Sequence, residues 1–385
     1  MRKSIHRAGW ILVRPGVWID NSMVEVVDGR ITAVCKASAG GHIIDHGPGV
    51  IMPALINAHT HLSLSALRGR LERSRGFVNW VQELISARSR LSAEEISSAA
   101  AKAAREVRNS GTGFVAEVGP TEPGATAMRA NNLDGVVFFE VLGNSCEPSA
   151  LPPDNNGLSF SFAGHALHTT APDVLKSLRS AALSRNGVFS IHLAESEAET
   201  EFLERGMGPW AELITSRGID FSHWGIGDER PVERALRLGL LGPGTLAVHL
   251  LQVNEAEMSV LAGTGTSLCL CPRSNFLLHG QLPDISAFLA AGLAPALGTD
   301  SLASTPSLSL FDEMAFVSER YPELSPDTLL ALATTNAARA LDQADLGTVE
   351  PGRMASLIYV ELAATSRQEA ALQLVAGKPD RVEWL

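Results

Sequence analysis

The stretch VIMPALINAHTHLSLSALRG, residues 50–69, carries a His-x-His pair at the end of an apolar run. The run from Val50 to Ile56 predicts a buried strand. Alternate side chains of an extended strand share a face, so His59 and His61 point to the same side. Two imidazoles at the end of a buried strand need a shared partner that offsets their desolvation. We therefore expect half of a metal site here, with packing or hydrogen-bonded histidines as the alternative.

Three further polar residues also end short apolar runs. They are His192 in GVFSIHLAES, His249 in GTLAVHLLQ and Asp300 in LAPALGTDS. Imidazole and carboxylate are the usual ligands of zinc and related divalent ions, and catalytic sites keep one position open for water. A (β/α)8 barrel builds its active site from the carboxyl ends of several strands. This repeated placement therefore favours a metal centre at that face of a barrel.

Strand-like and helix-like patterns alternate along the central part of the chain. One helix-like stretch starts at Ser92 and Glu95, which have the spacing of a capping box, and stops at Gly111. After the run before His59, strand-like runs cover residues 114–118, 136–142, 158–164, 188–193, 245–250, 266–271 and 293–297. This alternation predicts an α/β fold, a (β/α)8 TIM barrel, although a doubly wound open sheet has the same periodicity.

Both ends of the chain have β-rich patterns. Asp28-Gly29 separates VEVV from ITAV and predicts a hairpin. Near the other end, LGTVEPGRMASLIYVEL places turn formers before another apolar run. We expect the two ends to fold together as one small β-sandwich domain. The predicted domains are residues 1–50 and 345–385 for the sandwich and residues 51–344 for the barrel.

Composition excludes several classes of protein. The chain has 385 residues, 45% of them hydrophobic, and a net charge of -11. The negative charge argues against a nucleic-acid or anionic-membrane surface. No apolar run reaches the roughly 20 residues of a spanning helix, and the short apolar stretch before Arg14 leads us to expect no signal peptide. Four cysteines are too few for a disulfide framework in a chain of this size. We expect a cytoplasmic protein that acts on a small molecule.

Several separated segments together resemble the amidohydrolase superfamily, in particular its cytosine deaminase-like and chlorohydrolase branch. The matching segments, in chain order, are DGRITAV, PALINAHTHL, GHALHTTAP, IHLAES, LAVHLLQ, LCPRSN, LGTDSLAS and TTNAARAL. The resemblance implies that one divalent metal ion, zinc or alternatively iron, is bound by His59, His61, His192 and Asp300. It also suggests a homodimer.

The resemblance assigns further roles around that ion. Glu195 resembles the family's proton-shuttling carboxylate, although AESEAETEF also reads as a run of surface acids. His249 resembles the histidine that holds the metal-bound water or the leaving group, with a fifth ligand or a packing residue as alternatives. Some relatives bind two metals through a carbamylated lysine on strand four. The run LSFSFAG has no lysine, which favours one metal.

Candidate substrate contacts rest on weaker patterns. His165 and His168 lie in GHALHTT, which resembles a family segment that reaches the substrate, and Trp80 lies in a segment that often covers the pocket. Arg273 in CPRSN could face an anionic or carbonyl group, and Gln252 stands where many relatives have a second histidine. As alternatives, His165 and His168 would pack in a loop, Trp80 would be a core residue, and Arg273 would form a surface ion pair.

The expected chemistry is hydrolytic deamination. A divalent ion held by these groups lowers the pKa of its water from 15.7 toward roughly 7. We expect attack on an amine-bearing ring carbon, with Glu195 protonating the ring nitrogen, Asp300 accepting the water's proton, and ammonia leaving. His249 would orient the nucleophile.

The family branch narrows the expected substrate to several alternatives. The motifs look most like deaminases of 5'-substituted adenosines, first those acting on 6-amino-6-deoxyfutalosine in a menaquinone route, then S-adenosylhomocysteine/methylthioadenosine deaminases. Guanine, chlorotriazine and cyclic amide hydrolases of the same superfamily are further alternatives. All of these act on carbon–nitrogen bonds other than peptide bonds, apart from those that remove chlorine. A barrel that only binds a ligand would normally have lost some of the four metal ligands.

Overall fold

The computed structural model describes residues 2–36, 42–72, 76–146, 151–377 and 379–385. The strands are β1 (Lys3–Arg14), β2 (Val17–Val27), β3 (Arg30–Cys35), β4 (Ile43–Asp45), β5 (Val50–Pro53), β6 (Leu55–Thr60), β7 (Thr112–Gly119), β8 (Asp134–Val141), β9 (Leu158–Ala166), β10 (Phe189–Leu193), β11 (Thr245–His249), β12 (Ser267–Leu270), β13 (Ala296–Leu297), β14 (Leu357–Val360) and β15 (Val382–Trp384).

The α-helices lie mainly between the strands of the central region. They are α1 (Phe77–Arg88), α2 (Ala93–Asn109), α3 (Thr121–Ala130), α4 (Pro172–Ser184), α5 (Glu197–Arg205), α6 (Pro209–Ser216), α7 (Pro231–Arg237), α8 (Glu255–Thr264), α9 (Pro272–His279), α10 (Ile285–Ala290), α11 (Leu310–Arg320), α12 (Pro326–Ala333), α13 (Thr335–Ala340) and α14 (Arg367–Val375). A 3-10 helix, Leu62–Leu67, follows β6 directly.

Strands β6 to β13 form one eight-stranded parallel sheet in which neighbours follow chain order. A parallel bridge between Thr60 and Asp300 brings its first and last strands together. The predicted (β/α)8 barrel is therefore confirmed, and the open-sheet alternative is excluded. Because all eight strands are parallel, their carboxyl ends lie at one face, where barrel enzymes build their sites.

Local sequence signals account for several elements. Helix α2 begins with the predicted capping box, in which Ser92 and Glu95 each accept a hydrogen bond from the other's backbone N–H. Its buried residues include Ala100, Ala104 and Val107, which recur at helical spacing and face the core. Strands β6 and β10 are buried along their whole length, as expected for strands covered on both faces.

The two ends of the chain pair in a separate sheet of seven strands, in the order β15-β14-β5-β1-β2-β3 with β4 beside β1. The predicted hairpin is present, since β2 and β3 are antiparallel and its turn residues Asp28 and Gly29 have φ of 47° and 78°. The apolar run before His59 is divided between the two sheets. Its first part, Val50–Pro53, pairs with β1 and β14, and the barrel strand starts at Leu55.

Two other features bear on the class of protein. Among the described residues, no helix is both long and apolar enough to cross a membrane. All four cysteines are free, and Cys269 and Cys271 are buried at the end of β12.

Candidate metal centre and active site

Three histidines from two barrel strands converge at the carboxyl face. His59 lies in β6, His61 follows that strand, and His192 lies in β10; one ring nitrogen from each falls within 4.8 Å of the others. The Nε2 atoms of His59 and His192 are 3.2 Å apart. Two nitrogens bound to one tetrahedral zinc at about 2.0–2.1 Å are separated by roughly 3.3 Å. The spacing therefore fits two ligands of one ion.

Backbone carbonyls orient two of these rings. His61 Nδ1 donates to the carbonyl of Val118, and His192 Nδ1 donates to the carbonyl of His165, both at 2.9 Å. A carbonyl oxygen can only accept, so each Nδ1 carries the proton in the neutral ring. The Nε2 lone pairs of both residues are thereby left free to bind a cation, which is the usual support for a metal-binding histidine.

Electrostatics favours the neutral, ligand-competent form of the His59 and His192 rings. Burial lowers the pKa of His59 well below its ordinary value, and His61 and the other nearby imidazoles lower it further. Burial does the same for the pKa of His192, with His165 and His249 as the next causes. Metal binding requires unprotonated imidazole, so these shifts prepare the site for a cation.

Asp300 places a carboxylate beside His61. Its Oδ1 is 3.7 Å from His61 Nε2, while its Oδ2 accepts hydrogen bonds from Ser274 Oγ at 2.5 Å and Ser304 Oγ at 2.9 Å. One oxygen therefore remains available on the histidine side. Asp300 has a φ of 55°, a left-handed conformation that is uncommon for a non-glycine residue and is often found at functional sites.

These observations test whether a metal fits the residues present. Neutral imidazoles and one carboxylate form the donor set that zinc and similar divalent ions prefer. The Nδ1 atom of His59 is buried with no hydrogen-bond partner among the described residues, so this ring does not belong to an internal hydrogen-bond network through that atom. A divalent ion fits the donor set.

His249 and Glu195 lie beside this donor set. The ring of His249 is 5.3 Å from that of His192 and 5.8 Å from that of His59, measured between centroids. Its Nε2 is 3.8 Å from Glu195 Oε2, and its Nδ1 is 3.4 Å from the side-chain nitrogen of Asn275. His249 has a φ of 79°, so the backbone is again left-handed where the strand ends.

Glu195 is held as an ionised carboxylate. Burial raises its pKa, but the nearby His249 and a hydrogen bond from His279 lower it more, and the net pKa lies well below the ordinary value. The His279 Nε2 atom is 3.3 Å from Glu195 Oε1. The two imidazoles therefore outweigh the effect of burial on this carboxylate.

Two supporting residues escaped the sequence analysis. The buried carboxylate of Glu199 accepts the backbone N–H of Ala194 at 3.2 Å and of Glu195 at 2.8 Å, which fixes the loop that carries Glu195. His279 ends α9, far from Glu195 in sequence. The spacing of Glu199, four residues after Glu195 in an acidic run, gave no reason to prefer it over its neighbours.

A cavity of about 510 Å³ opens onto these residues. Of the candidate substrate contacts, His165, His168 and Trp80 line it, whereas Arg273 and Gln252 do not. The Arg273 guanidinium instead donates to Ser307 Oγ at 3.1 Å and lies 3.8 Å from Glu313. The Gln252 side chain donates to Gln281.

Polar and aromatic groups that the sequence did not single out also line the cavity. Glu140, at the end of β8, has a buried Oε1 atom without a hydrogen-bond partner among the described residues. Phe77 and Trp210 form an aromatic pair with ring centroids 6.0 Å apart. Trp210 in turn packs on His168 at 4.2 Å. The inner cavity is therefore polar on the barrel side and aromatic on the helix side.

Comparison with known proteins gives a family match over most of the chain. The model of the amidohydrolase family matches residues 50–382. A 5-methylthioadenosine/S-adenosylhomocysteine deaminase of Syntrophobacter fumaroxidans is 30% identical, with 89% of this chain and 80% of that protein covered.

Solved structures of low sequence identity share the fold. The Helicobacter pylori aminofutalosine deaminase in complex with methylthio-coformycin has a TM-score of 0.88 at 24% identity, covering 99% of this chain and 97% of that one. An adenosine deaminase from Xanthomonas campestris with bound zinc has a TM-score of 0.81 at 24% identity, covering 97% and 89%.

Proposed function

The chain belongs to the amidohydrolase family, and from that premise we propose that it is a metal-dependent deaminase of an aminopurine nucleoside with a substituent at the 5' position. One observation carries the proposal: one ring nitrogen from each of three imidazoles lies within 4.8 Å of the others, and the Asp300 carboxylate is 3.7 Å from His61. The Glu195–His249 pair lies beside them in the same cavity. The best single candidate substrate is 6-amino-6-deoxyfutalosine.

His59, His61, His192 and Asp300 would hold the ion, with zinc as the first choice because of its preference for imidazole and carboxylate ligands. A bound divalent ion supplies a water molecule whose pKa is lowered toward about 7. The similar adenosine deaminase from Xanthomonas campestris contains zinc, which supports this choice.

Glu195 and Asp300 each carry one proton of the attacking water in the proposed reaction. Because its carboxylate is ionised in the resting site, it first takes a proton from the attacking water and delivers it to the ring nitrogen beside the amine-bearing carbon. Asp300 accepts the second proton of the same water, and that proton leaves with the amine as ammonia. The His279 hydrogen bond keeps the Glu195 carboxylate aimed at this exchange.

His249 and the cavity walls position the substrate. The His249 ring lies near both Glu195 and the histidine cluster. It can therefore stabilise the charge that develops on the oxygen that the water adds to the ring carbon. His165 packs against His192 with ring centroids 5.0 Å apart, next to the aromatic wall of Trp80 and Trp210. Planar rings bind well between such side chains.

A 5'-substituted adenosine is favoured over other amine-bearing rings by the names of similar proteins. The Syntrophobacter relative is a 5-methylthioadenosine/S-adenosylhomocysteine deaminase and the Helicobacter structure an aminofutalosine deaminase. Methylthioadenosine and S-adenosylhomocysteine are therefore the second candidate substrates, with the same chemistry at the ring.

Ammonia release tests the function. Protein loaded with zinc would be incubated with 6-amino-6-deoxyfutalosine, methylthioadenosine, S-adenosylhomocysteine, adenosine, guanine and cytosine. We expect ammonia and a hypoxanthine-type product from at least one 5'-substituted adenosine, and none from cytosine. Ammonia release from none of the aminopurine nucleosides would overturn the proposal.

A further inference from the structure

We propose that the cavity recognises an anionic group on the part of the substrate remote from the amine-bearing ring, and that Arg88 and Arg217 bind this group. The inference rests on the proposed function and adds the chemical class of the 5' substituent: an apolar tail that ends in a carboxylate or phosphate.

Helices α1 and α6 both begin beside the catalytic groups. The ring of Phe77, the first residue of α1, is 4.5 Å from that of His279, the hydrogen-bond partner of Glu195. Near the start of α6, Trp210 packs on His168 and contacts Phe77. The amino-terminal ends of the two helices therefore mark the inner end of the cavity.

Both helices carry an arginine at their outer ends. Arg88 is the last residue of α1, and at 1.5 Å rise per residue it lies about 16 Å along the helix axis from Phe77. Arg217 directly follows α6, about 10 Å along that axis from Trp210. Both arginines line the cavity. The distances match a ligand that extends well beyond a purine ring.

The wall between the two ends is apolar. The cavity-lining side chains along the two helices are Val81, Leu84, Ile85, Leu213 and Ile214. A hydrated or charged linker would lose water contacts against such a surface without gaining hydrogen bonds, whereas an alkyl, thioether or aryl linker would gain from burial. The tail is therefore apolar until it reaches the arginines.

Neither guanidinium has a hydrogen bond or ion pair with any residue in the described part of the chain, although many other arginines of the protein do, as with Arg68 and Glu106. Arg88 is half-buried and Arg217 exposed at the cavity rim. In a chain of net charge -11, two cationic side chains that line one cavity and have no carboxylate partner among the described residues complement an anion. Guanidinium groups bind carboxylate and phosphate through paired N–H donors.

The alternative is that these arginines only offset the partial negative charge at the ends of their helices. Arg185 is a matched control for that role, because it too directly follows a helix, α4, is exposed, and does not line the cavity. An arginine that acts only on its helix end should not distinguish between two substrates.

The experiment compares two adenosines that differ only in charge at the end of the tail. They are 5'-deoxy-5'-(4-carboxybutylthio)adenosine and 5'-deoxy-5'-(pentylthio)adenosine, with a phosphonobutylthio analogue as the phosphate arm. The measured quantity is the ratio of kcat/KM for the charged and the neutral substrate, from ammonia release by the zinc-loaded full chain. Each is assayed with the unaltered protein and with Arg88→Gln, Arg217→Gln and Arg185→Gln.

We expect the unaltered protein to prefer the charged tail by about tenfold or more, and Arg88→Gln and Arg217→Gln each to reduce this ratio about fivefold. The preference should weaken as salt is added, and Arg185→Gln should leave both constants unchanged. The larger of the carboxylate and phosphonate ratios identifies the anion.

Several results would overturn the inference. A ratio near one in the unaltered protein, or a ratio that Arg88→Gln and Arg217→Gln leave intact, would contradict it while the neutral substrate's turnover still supported the proposed function. An equal loss with Arg185→Gln would point to a general charge effect instead. Ammonia from none of these adenosines would overturn both the proposed function and this inference.

Discussion

Glu195 is held between two imidazoles, with His249 Nε2 3.8 Å from one carboxylate oxygen and His279 Nε2 3.3 Å from the other. The carboxylate is buried, yet its neighbours keep the pKa below the ordinary value. A group in this position can accept a proton from water and return it over a short distance. The proposed reaction therefore depends more on this side chain than on any other that does not bind the metal.

Glu195→Gln removes the proton carrier while keeping the size of the side chain. We expect kcat to fall by about 10²–10⁴-fold, the usual contribution of general acid–base catalysis, with metal content unchanged. Ammonia release and metal analysis of the same preparation would measure both. Glu197→Gln is the matched control, since Glu197 is exposed in the same acidic run. A Glu195→Gln variant that kept more than a tenth of the activity would contradict the assigned role.

Glu313 is a buried carboxyl group in α11, and burial raises its pKa to about 8 although Arg273 opposes the shift. The folded chain therefore holds a proton that the unfolded chain releases near the ordinary value of 4.5. By linkage, the stability contributed by this group is fully present below the unfolded pKa and is lost as pH rises toward 8.

Glu313→Gln keeps a neutral group at every pH and so removes this dependence. The measured quantity is the Tm of the variant minus the Tm of the unaltered protein. We expect this difference to be about 2–4 °C higher at pH 9 than at pH 5. Thermal unfolding at the two pH values measures it, with the exposed Glu319→Gln in the same helix as control. A Tm difference that is the same at both pH values would show that Glu313 does not titrate in this window.

At the residue scale, the sequence predicted the site side chains that lie at strand ends. It did not predict the side chains that hold Glu195 in position. Position at the end of an apolar run drew attention to His59 and His192 because strand ends of a barrel meet at one face. Glu199 and His279 lie in helices and act on Glu195 through contacts that only folding creates. No local pattern separates them from surface residues.

At the scale of elements, the junction between the first and last barrel strands positions the metal ligands. Strand β13 is short, and Asn57 of β6 completes the closure: its Nδ2 donates to Thr299 Oγ1 at 2.7 Å, and its Oδ1 accepts the Thr299 N–H at 3.2 Å. The N–H of Asp300 then donates to the carbonyl of His59 at 3.1 Å. One small network thus holds groups from both ends of the barrel.

Asn57→Ala breaks this closure because both hydrogen bonds between the Asn57 side chain and Thr299 are lost, which leaves the Thr299 N–H with the carbonyl of His59 alone. We expect a loss of about 1–3 kcal/mol in the free energy of unfolding, together with weaker metal binding because Asp300 is no longer fixed. Denaturant unfolding and a zinc titration would measure the two effects. Asn131→Ala, which removes hydrogen bonds to Ala101 and Ala127 elsewhere, should lower stability without changing zinc affinity. Equal zinc affinity in both variants would contradict the role of Asn57.

The boundary of an element could be predicted where polar residues mark it. It could not be predicted where the sequence stays apolar across the boundary. The capping box at Ser92 marks the start of α2 correctly because its hydrogen bonds are local. The apolar run from Val50 was predicted as one strand, but the chain leaves the terminal sheet near Ala54, whose N–H donates to Ser356. Both parts of the run are buried, so hydrophobicity alone could not reveal the division.

At the scale of the whole molecule, Trp384 connects the terminal sheet to the barrel. Its indole N–H donates to the carbonyl of Arg108 at 3.0 Å, and the Arg108 guanidinium lies 3.1 Å from the centre of the ring. Arg108 is near the end of α2, the helix before β7. The last strand of the chain is thereby fixed against a barrel helix, far from the catalytic groups in sequence.

Trp384→Ala removes both contacts. We expect the free energy of unfolding to fall by about 2–4 kcal/mol because a large, partly buried ring and its cation–π partner are lost. Metal content and kcat should be retained, since the ring does not line the cavity. Trp384→Phe keeps the ring but not the N–H and should lose less stability. A loss of bound metal in Trp384→Ala at temperatures where it stays folded would show that the terminal sheet also shapes the site.

The overall architecture was predictable because strand–helix alternation and the β-rich ends are features of the whole sequence. The walls that select the substrate were not. Leu84 and Leu213 have the pattern of ordinary core residues, and only the packing of α1 beside α6 shows that they line a cavity. Arg273 illustrates the reverse case. Its position after a strand suggested the site, but its guanidinium donates to Ser307 Oγ and lies 3.8 Å from Glu313, outside the cavity lining.

Metal stoichiometry most directly tests the convergence of four distant residues on one ion. Protein purified without added metal and then equilibrated with zinc should bind one equivalent per chain, by elemental analysis after removal of free ion. His192→Ala should lose this equivalent, whereas Glu195→Gln should keep it. Two equivalents per chain, or one equivalent that survives in His192→Ala, would contradict the account.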